Sequence, residues 1–205
     1  MKMELGFCLA ALVATQALAQ DTATLKKNAE EKTQAKMTQD LKQGVTFAEA
    51  TLAPKSGSKM AGTVVFNRSD KGLQIVASVT GGTPGRHGIH IHEKGDCSAA
   101  DASTAGGHFN PTGAPHAAPT AQARHVGDLG NITVKQDGVG LLSLDVPNVK
   151  GLTGWDAIVG KSVVVHAQGD DLKTQPSGAS GDRIACGVIE ATTGPSADAA
   201  KPTQK

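Results

Sequence analysis

The chain has 205 residues, with 20 Lys and Arg against 19 Asp and Glu, and a formal net charge of +1 at pH 7. Aromatic residues make up only 2% of the sequence, and neither a basic stripe nor a stacking platform is visible. Because nucleic-acid-binding surfaces concentrate positive charge and stacking side chains, this composition argues against nucleic acid as a partner.

Residues 1–19 predict a secretory signal peptide. Lys2 gives a positive start, residues 5–13 form a short apolar run, and residues 17–19 are Ala-Leu-Ala, a small-residue cleavage site. The apolar run is too short to span a membrane, so we expect no membrane contact after cleavage. The expected product is an exported protein that begins near Gln20.

Three segments follow the signal. Residues 20–44 are rich in Ala, Lys, Gln and Thr, with too few apolar positions for a packed helix, and predict a flexible N-terminal extension. Residues 45–191 are long enough for one domain with its own core, and they carry 12 Lys and Arg against 13 Asp and Glu. Residues 192–205 predict a disordered C-terminal tail.

The cysteines point to a disulfide. Signal cleavage would remove Cys8 and leave Cys97 and Cys186. In an oxidising compartment two remaining thiols pair by default, and two free buried thiols are the alternative. A bridge would close a loop of 89 residues and would contribute at most about 4–5 kcal/mol of stability in the chain-entropy model.

The central region predicts an all-β domain, because it is rich in Gly and in short β-branched runs and has no long 3.6-residue periodicity. Asp137-Gly138 indicates a hairpin turn. Short strands with turn signals predict an eight-stranded Greek-key β-sandwich or barrel. Two long loops, 93–126 and 167–182, lack strand character and are expected to be functional. The predicted strands are 46–52, 62–67, 73–80, 88–92, 131–135, 140–145, 162–166 and 184–190.

Histidines mark the candidate site. His90 and His92 are two residues apart on a predicted strand, so both side chains lie on one face and could share a metal ion; a pair of surface histidines is the alternative. His87 would face away from them and is not expected to bind metal. Trp155, the only tryptophan, is interpreted as a packing or loop residue.

A second group lies within, or borders, the first long loop. His108, His116, His125 and Asp128 occupy a segment punctuated by Gly and Pro, where three imidazoles and one carboxylate suit a tetrahedral zinc site. Imidazole also suits copper, so a second metal of that kind could lie nearby. Isolated loop histidines are more often solvated, but this density of ligands favours a metal centre.

Four segments together resemble the copper/zinc superoxide dismutase family and occur in its order. The resemblance extends over residues 45–190 and leaves only the two ends uncovered. The segments are Gly-Ile-His-Ile-His-Glu at 88–93, Gly-His-Phe-Asn-Pro at 107–111, His-Val-Gly-Asp-Leu-Gly-Asn at 125–131 and Arg-Ile-Ala-Cys-Gly-Val-Ile at 183–189.

The resemblance implies a pair of metal sites that share one ligand. His108 would bridge the two metals, and Cys97 and Cys186 would form the family's disulfide and help to hold Arg183 beside copper. Asp170, in preference to Asp171, aligns with the carboxylate that orients one ring of each site, here His90 and His116. The implied copper ligands are His90, His92, His108 and His166, and the implied zinc ligands are His108, His116, His125 and Asp128.

The activity implied by the resemblance is the disproportionation of superoxide to oxygen and hydrogen peroxide. Copper would alternate between Cu(II) and Cu(I), zinc would be structural, and His108 would take up and deliver a proton. Arg183 would attract and position the anion, with Lys173 as a second steering charge. Two alternatives stay open: a non-catalytic copper- and zinc-binding or buffering protein, and a structural zinc module whose copper site stays empty.

Three features resemble the bacterial periplasmic branch of the family: the export signal, the early position of Cys97, and the short loop between Asp171 and Arg183. This resemblance predicts a periplasmic protein with a role in antioxidant defence. That branch includes monomers and dimers, so either a monomer or a homodimer is expected.

Overall fold

Strands form here because apolar and polar side chains alternate over short stretches. In the segment Gly72–Thr80, Ile75, Ala77 and Val79 are buried, whereas Gln74 is exposed. Since successive side chains of a strand point to opposite faces, one face of this segment packs into a core and the other faces outward.

The computed structural model of the chain describes residues 47–69, 72–147 and 157–192. No helix in these ranges is long and apolar enough to cross a membrane. A short 3₁₀ turn lies at Ser103–Ala105. The strands are β1 (Phe47–Pro54), β2 (Ala61–Ser69), β3 (Gly72–Thr80), β4 (Gly85–His92), β5 (Asp128–Val134), β6 (Gly140–Pro147), β7 (Ser162–His166) and β8 (Arg183–Thr192).

The eight strands form one closed antiparallel barrel with the order β1-β2-β3-β6-β5-β4-β7-β8. β3 pairs with β6 and β4 pairs with β7, so the chain crosses between strands that are not consecutive, as in Greek-key folds. The pairing of β5 with β6 is short and joins only Thr133 to Leu141 and Val134 to Gly140. The all-β, eight-stranded prediction is confirmed, with the barrel as the observed form.

The core is built from all eight strands. Its largest fully buried apolar side chains include Phe66, Leu52, Ile75, Ile132 and Ile189. Burial of each such side chain contributes roughly 1.5–3 kcal/mol relative to leaving it exposed. The barrel is therefore a packed scaffold, and its strands support the two long loops that connect them.

Most predicted strands differ from the observed ones by one or two residues at an end, and two of them start three residues too late. β4 begins at Gly85 instead of residue 88, because Gly85 and Arg86 pair with β5 despite their low strand propensity. β5 begins at Asp128 instead of residue 131, and Asp128 pairs with His90 of β4. Asp128 is thus a strand residue, not a member of the loop in which the sequence pattern placed it.

The predicted disulfide between Cys97 and Cys186 is confirmed. It joins the loop that follows β4 to the middle of β8 and packs against Ala102, Ala105 and Val164. β8 continues to Thr192, the first residue of the predicted tail. The predicted signal peptide, the extension, the rest of the tail and Trp155 lie outside the described residues.

Candidate metal centre

Two neighbouring strands supply three of the histidines. On β4, Ile89 and Ile91 alternate with His90 and His92, so the apolar and imidazole side chains lie on opposite faces. His166 is the last residue of β7, which pairs with β4. His108 joins this group from the first long loop through an isolated β-bridge to His92.

The four imidazoles converge. One ring nitrogen from each of His90, His92, His108 and His166 lies within 4.8 Å of the others, and all four side chains are largely buried. His92 Nε2 and His166 Nε2 are 3.4 Å apart. The predicted copper ligands are therefore close enough together for one ion.

Each of these rings is oriented through its other nitrogen. His92 Nδ1 donates to the carbonyl of Gly106 at 2.9 Å, and His166 Nδ1 donates to the carbonyl of Gly181 at 3.1 Å. His90 Nε2 donates to Asp170 Oδ2 at 2.9 Å. Such contacts fix the tautomer of a metal-binding histidine and leave the opposite nitrogen with its lone pair directed at the ion.

Two buried nitrogens within the described structure have no hydrogen-bond partner, His90 Nδ1 and His108 Nε2. A buried polar atom without a partner costs about 1–3 kcal/mol, so such atoms are rare unless they serve a function. Both belong to the converging group, and one cation would satisfy both. The donor set of four imidazoles fits copper.

The second group is organised by a carboxylate. Asp128 Oδ1 lies 2.9 Å from Nδ1 of both His108 and His116, and 3.3 Å from Nδ1 of His125. Asp128 Oδ2 accepts the backbone N–H groups of Ala117 and His125, each at 3.1 Å. Three Nδ1 atoms and one carboxylate oxygen form a closed four-ligand set of the kind that zinc prefers.

His108 belongs to both groups, since its Nδ1 faces Asp128 and its Nε2 faces the other three histidines. The ring of His108 also stacks on that of His90, with centroids 4.0 Å apart. A single imidazole can therefore contact two ions at once, as the resemblance implies for this residue.

Burial keeps most of these imidazoles in the neutral form that binds metals. Desolvation, followed by the nearby His108, lowers the pKa of His90 and of His92 well below the ordinary histidine value. Desolvation also lowers the pKa of His166 to about 4. At neutral pH these three rings are thus ready to coordinate a cation without first releasing a proton.

Nearby carboxylates raise the pKa of His116, which is the opposite of the effect of burial. Burial alone would lower its pKa, but the hydrogen bond to Asp170 and the charge of Asp128 outweigh burial, so the pKa is raised. For Asp128, burial would raise the pKa, yet hydrogen bonds from His108 and Ala117 prevail and lower it. Asp128 is therefore an anion at neutral pH and suits a divalent ion.

Asp170 connects the two groups. Its Oδ2 contacts His90 Nε2 and its Oδ1 contacts His116 Nε2, both at 2.9 Å. The Asp170 N–H donates to Asn131 Oδ1 at 2.7 Å, and Asn131 Nδ2 donates to the Asp170 carbonyl at 3.0 Å. Asp171 is exposed, and its carboxylate accepts hydrogen bonds within its own turn. Asp170, not Asp171, lies between the rings.

Gly178 crosses directly over the Asp170–His116 contact, with a φ of 68°. A Cβ at this position would lie 1.8 Å from Asp170 Oδ1 and 2.7 Å from His116 Nε2. Gly178→Ala should therefore displace the second loop, break this contact and weaken zinc binding by about tenfold or more, the loss typical when a ligand's orienting partner is disturbed. Zinc competition titration measures the effect.

Gly57→Ala is the matched control for this prediction. Gly57 has a similar φ of 73°, but a Cβ there would meet nothing within 4 Å. It should cost only the left-handed backbone penalty of about 1–2 kcal/mol. Similar zinc affinity in the two variants would contradict the argument from the collision.

Arg183, the first residue of β8, is half-buried and pairs with His166 across the strands. Its Nη1 donates to the carbonyl of Ala102 and its Nη2 donates to that of Gly106, both at 2.7 Å. Gly106 also accepts from His92, so one carbonyl orients both the arginine and a candidate copper ligand. The guanidinium is a fixed positive charge beside the first group.

The remaining charged and histidine candidates lie outside the two ligand groups. Lys173 is exposed in the second long loop. His87 is buried, and its ring nitrogens lie 2.8 Å from the carbonyls of His166 and Thr83. It thus supports the backbone at His166. Sequence reasoning missed Asn131 and Gln175, which hold Asp170 and His116, and no signal in the sequence identifies Gln175.

Comparisons with known proteins agree with this geometry. The sequence model of the copper/zinc superoxide dismutase family (SODC) matches residues 60–189 of the chain. The chain is also similar to the extracellular superoxide dismutase (Cu-Zn) of Caenorhabditis elegans, with 41% identity over 143 residues. The alignment covers 67% of this chain and 64% of the relative, so the chain spans less than two thirds of that relative's length.

Proposed function

Because this chain belongs to the copper/zinc superoxide dismutase family, we propose that it is an enzyme that converts superoxide to oxygen and hydrogen peroxide. The observation that carries this proposal is the arrangement of six histidines and one aspartate as two four-ligand groups that share His108. The relative from Caenorhabditis elegans is named as a superoxide dismutase, which supports the same activity.

We assign copper to the first group and zinc to the second. Copper would be held by Nδ1 of His90 and by Nε2 of the other three histidines, since these are the nitrogens that the orienting contacts leave free. Zinc would be held by three Nδ1 atoms and by Asp128 Oδ1, a closed set that suits a structural ion. The ligands of zinc are His108, His116, His125 and Asp128.

When bound, copper supplies one-electron chemistry by alternating between two oxidation states. The two superoxide ions consumed in each cycle need two protons to give hydrogen peroxide. His108 Nε2 is buried beside the first group and has no protein partner within the described structure, so it is the nitrogen placed to hold and deliver one of them. Because its one lone pair cannot bind copper and a proton together, His108 Nε2 would hold that proton only while it is not a copper ligand. Asp128 fixes the opposite nitrogen and thereby the direction in which His108 Nε2 points.

The direct test is stopped-flow superoxide decay on protein whose copper and zinc contents have been measured. Catalysed decay that scales with copper content supports the proposed function. Protein that contains both metals and does not accelerate the decay would instead be a metal-binding or buffering protein on the same fold.

Arg183 is proposed to attract and position the anion. Arg183→Glu should lower kcat/KM by about tenfold to hundredfold, since a hydrogen bond to a charged group contributes about 1.5–3 kcal/mol. Arg183→Lys should fall between, because the charge remains and the planar fork of donors is lost. Stopped-flow decay at several ionic strengths, on proteins with matched metal contents, measures both effects.

Salt provides the control for the role of Arg183. Added ions should slow the parent enzyme more than the Glu variant, because they screen an attraction that only the parent has at this position. Unchanged kcat/KM in Arg183→Glu would remove Arg183 from the active site and leave it a structural residue.

We also propose that the protein is exported, and that it belongs to the periplasmic branch with residues 1–19 as a cleaved signal. The disulfide between Cys97 and Cys186 suits an oxidising compartment, and the relative from Caenorhabditis elegans is named as extracellular. Intact-mass measurement of the exported protein tests this by locating its first residue; retention of Cys8 would refute it.

A further inference from the structure

Gln175 binds both backbone groups of His116, a residue 59 positions away in the sequence. The His116 N–H donates to Gln175 Oε1 at 2.8 Å, and Gln175 Nε2 donates to the His116 carbonyl at 2.8 Å. The second hydrogen of Nε2 is directed to the carbonyl of Lys173 at 3.1 Å. The side-chain amide thus uses its oxygen and both of its hydrogens in the manner of a short β-bridge.

His116 depends on this amide because its surroundings offer its backbone little else. Pro115, which precedes it, has no N–H with which to form a turn or a ladder. Among the hydrogen bonds of the described residues, Gln175 supplies the partner of the His116 N–H and the partner of its carbonyl. The ring is then held at Nε2 by Asp170.

The second loop therefore holds His116 at three atoms, whereas Asp128 contacts it at Nδ1. The turn that presents Gln175 is itself ordered. Asp171 Oδ1 accepts the N–H groups of Lys173 at 2.9 Å and Thr174 at 2.8 Å. Gln175 consequently reaches His116 from a fixed backbone although its own side chain is on the surface.

We propose that Gln175 is a positioning residue for the zinc site: it fixes the backbone of His116 so that Nδ1 points at the ion, and it couples the order of loop 167–182 to zinc binding. This inference rests on the proposed assignment of zinc to the second ligand group. Because coupling between two equilibria is reciprocal, an ordered loop should tighten zinc by the same factor by which zinc favours the ordered loop.

Two substitutions at position 175 test the proposal. Gln175→Ala removes both hydrogen bonds to His116. Gln175→Glu keeps the length and one acceptor oxygen, but it places a second acceptor against the carbonyls of His116 and Lys173. Both should raise the Kd for zinc by about tenfold to hundredfold, the range seen when a partner that orients a metal ligand is lost.

Gln168→Ala is the matched control. Gln168 is an exposed glutamine of the same loop, and its side chain makes no hydrogen bond within the described structure. Zinc affinity of full-length protein is measured by competition with a chromophoric chelator, and hydrogen exchange of residues 167–182 is followed with and without zinc. Circular dichroism verifies that each variant folds.

The expected result is weaker zinc binding in both position-175 variants, unchanged binding in Gln168→Ala, and a smaller zinc-dependent protection of the loop in Gln175→Ala. A general loosening of the loop would shift all three variants alike and would overturn the proposal. Unchanged zinc affinity or unchanged zinc-dependent protection in Gln175→Ala would overturn it too.

The readouts separate this proposal from the proposed function. Parent protein that binds zinc and does not dismutate superoxide refutes the function alone, because the zinc measurements remain interpretable. Parent protein that binds no zinc refutes both the zinc assignment and the role of Gln175.

Discussion

Replacing His166 by alanine should abolish superoxide dismutation while the protein keeps its zinc. His166 belongs only to the proposed copper group, and its side chain is absent from the second ligand set. Removal of one of four imidazoles leaves an incomplete copper site, whereas Asp128, His108, His116 and His125 are untouched. The rate of superoxide decay should fall to that of the uncatalysed reaction.

Stopped-flow decay and metal analysis on the same preparation check this result. Added copper distinguishes a weakened site from a lost one, since excess metal should restore part of the activity only if the remaining ligands still bind it. Loss of zinc and copper to the same extent would contradict the assignment of His166 to a single metal.

Asp128→Ala should affect zinc rather than copper, the reverse of His166→Ala, and should have a large effect on stability. It should weaken zinc binding by at least about a hundredfold, the upper end for altered metal sites, because it removes a ligand of the closed set. It should also destabilise the zinc-free protein, because the buried N–H groups of Ala117 and His125 lose their acceptor, at a cost of about 1–3 kcal/mol for each group left unsatisfied. Chelator competition and denaturant unfolding measure the two effects.

Asp128→Asn separates the two contributions. Its amide oxygen can still accept from the N–H groups of Ala117 and His125, which Asp128 Oδ2 accepts in the parent. The Asn variant should therefore retain most of the zinc-free stability and still bind zinc weakly, since the negative charge is gone. Equal destabilisation by Ala and Asn would show that charge, not backbone support, is the main contribution of Asp128.

The barrel and the ligand types could be predicted from the sequence because both depend on local pattern. The alternation of Ile89 and Ile91 with His90 and His92 predicts a strand with one apolar face and one imidazole face. The start of β5 could not be predicted in this way. Asp128 lies in a glycine-rich stretch of low strand propensity and becomes a strand residue only through its pairing with β4.

The contacts that orient the ligands were less accessible to sequence reasoning. Asp170 was predicted from the family resemblance, not from spacing, because it joins two rings that come from different elements. Gln175 has no sequence signature, since its partners are backbone atoms whose position depends on the fold of a separate loop. Such side-chain contacts to distant backbone are visible only in three dimensions.

The short pairing between β5 and β6 would give the proposed metal centre a role in solubility. Two residue pairs close the barrel between β5 and β6, so local opening there would free the edges of both strands. These edges lie next to Leu141, which is 66% exposed. Free edges recruit strands of other chains and begin aggregation. β5 starts at Asp128, so a zinc ion at the proposed site would hold this strand at its other end. Metal loss would therefore expose the protein to intermolecular strand addition as well as inactivate it.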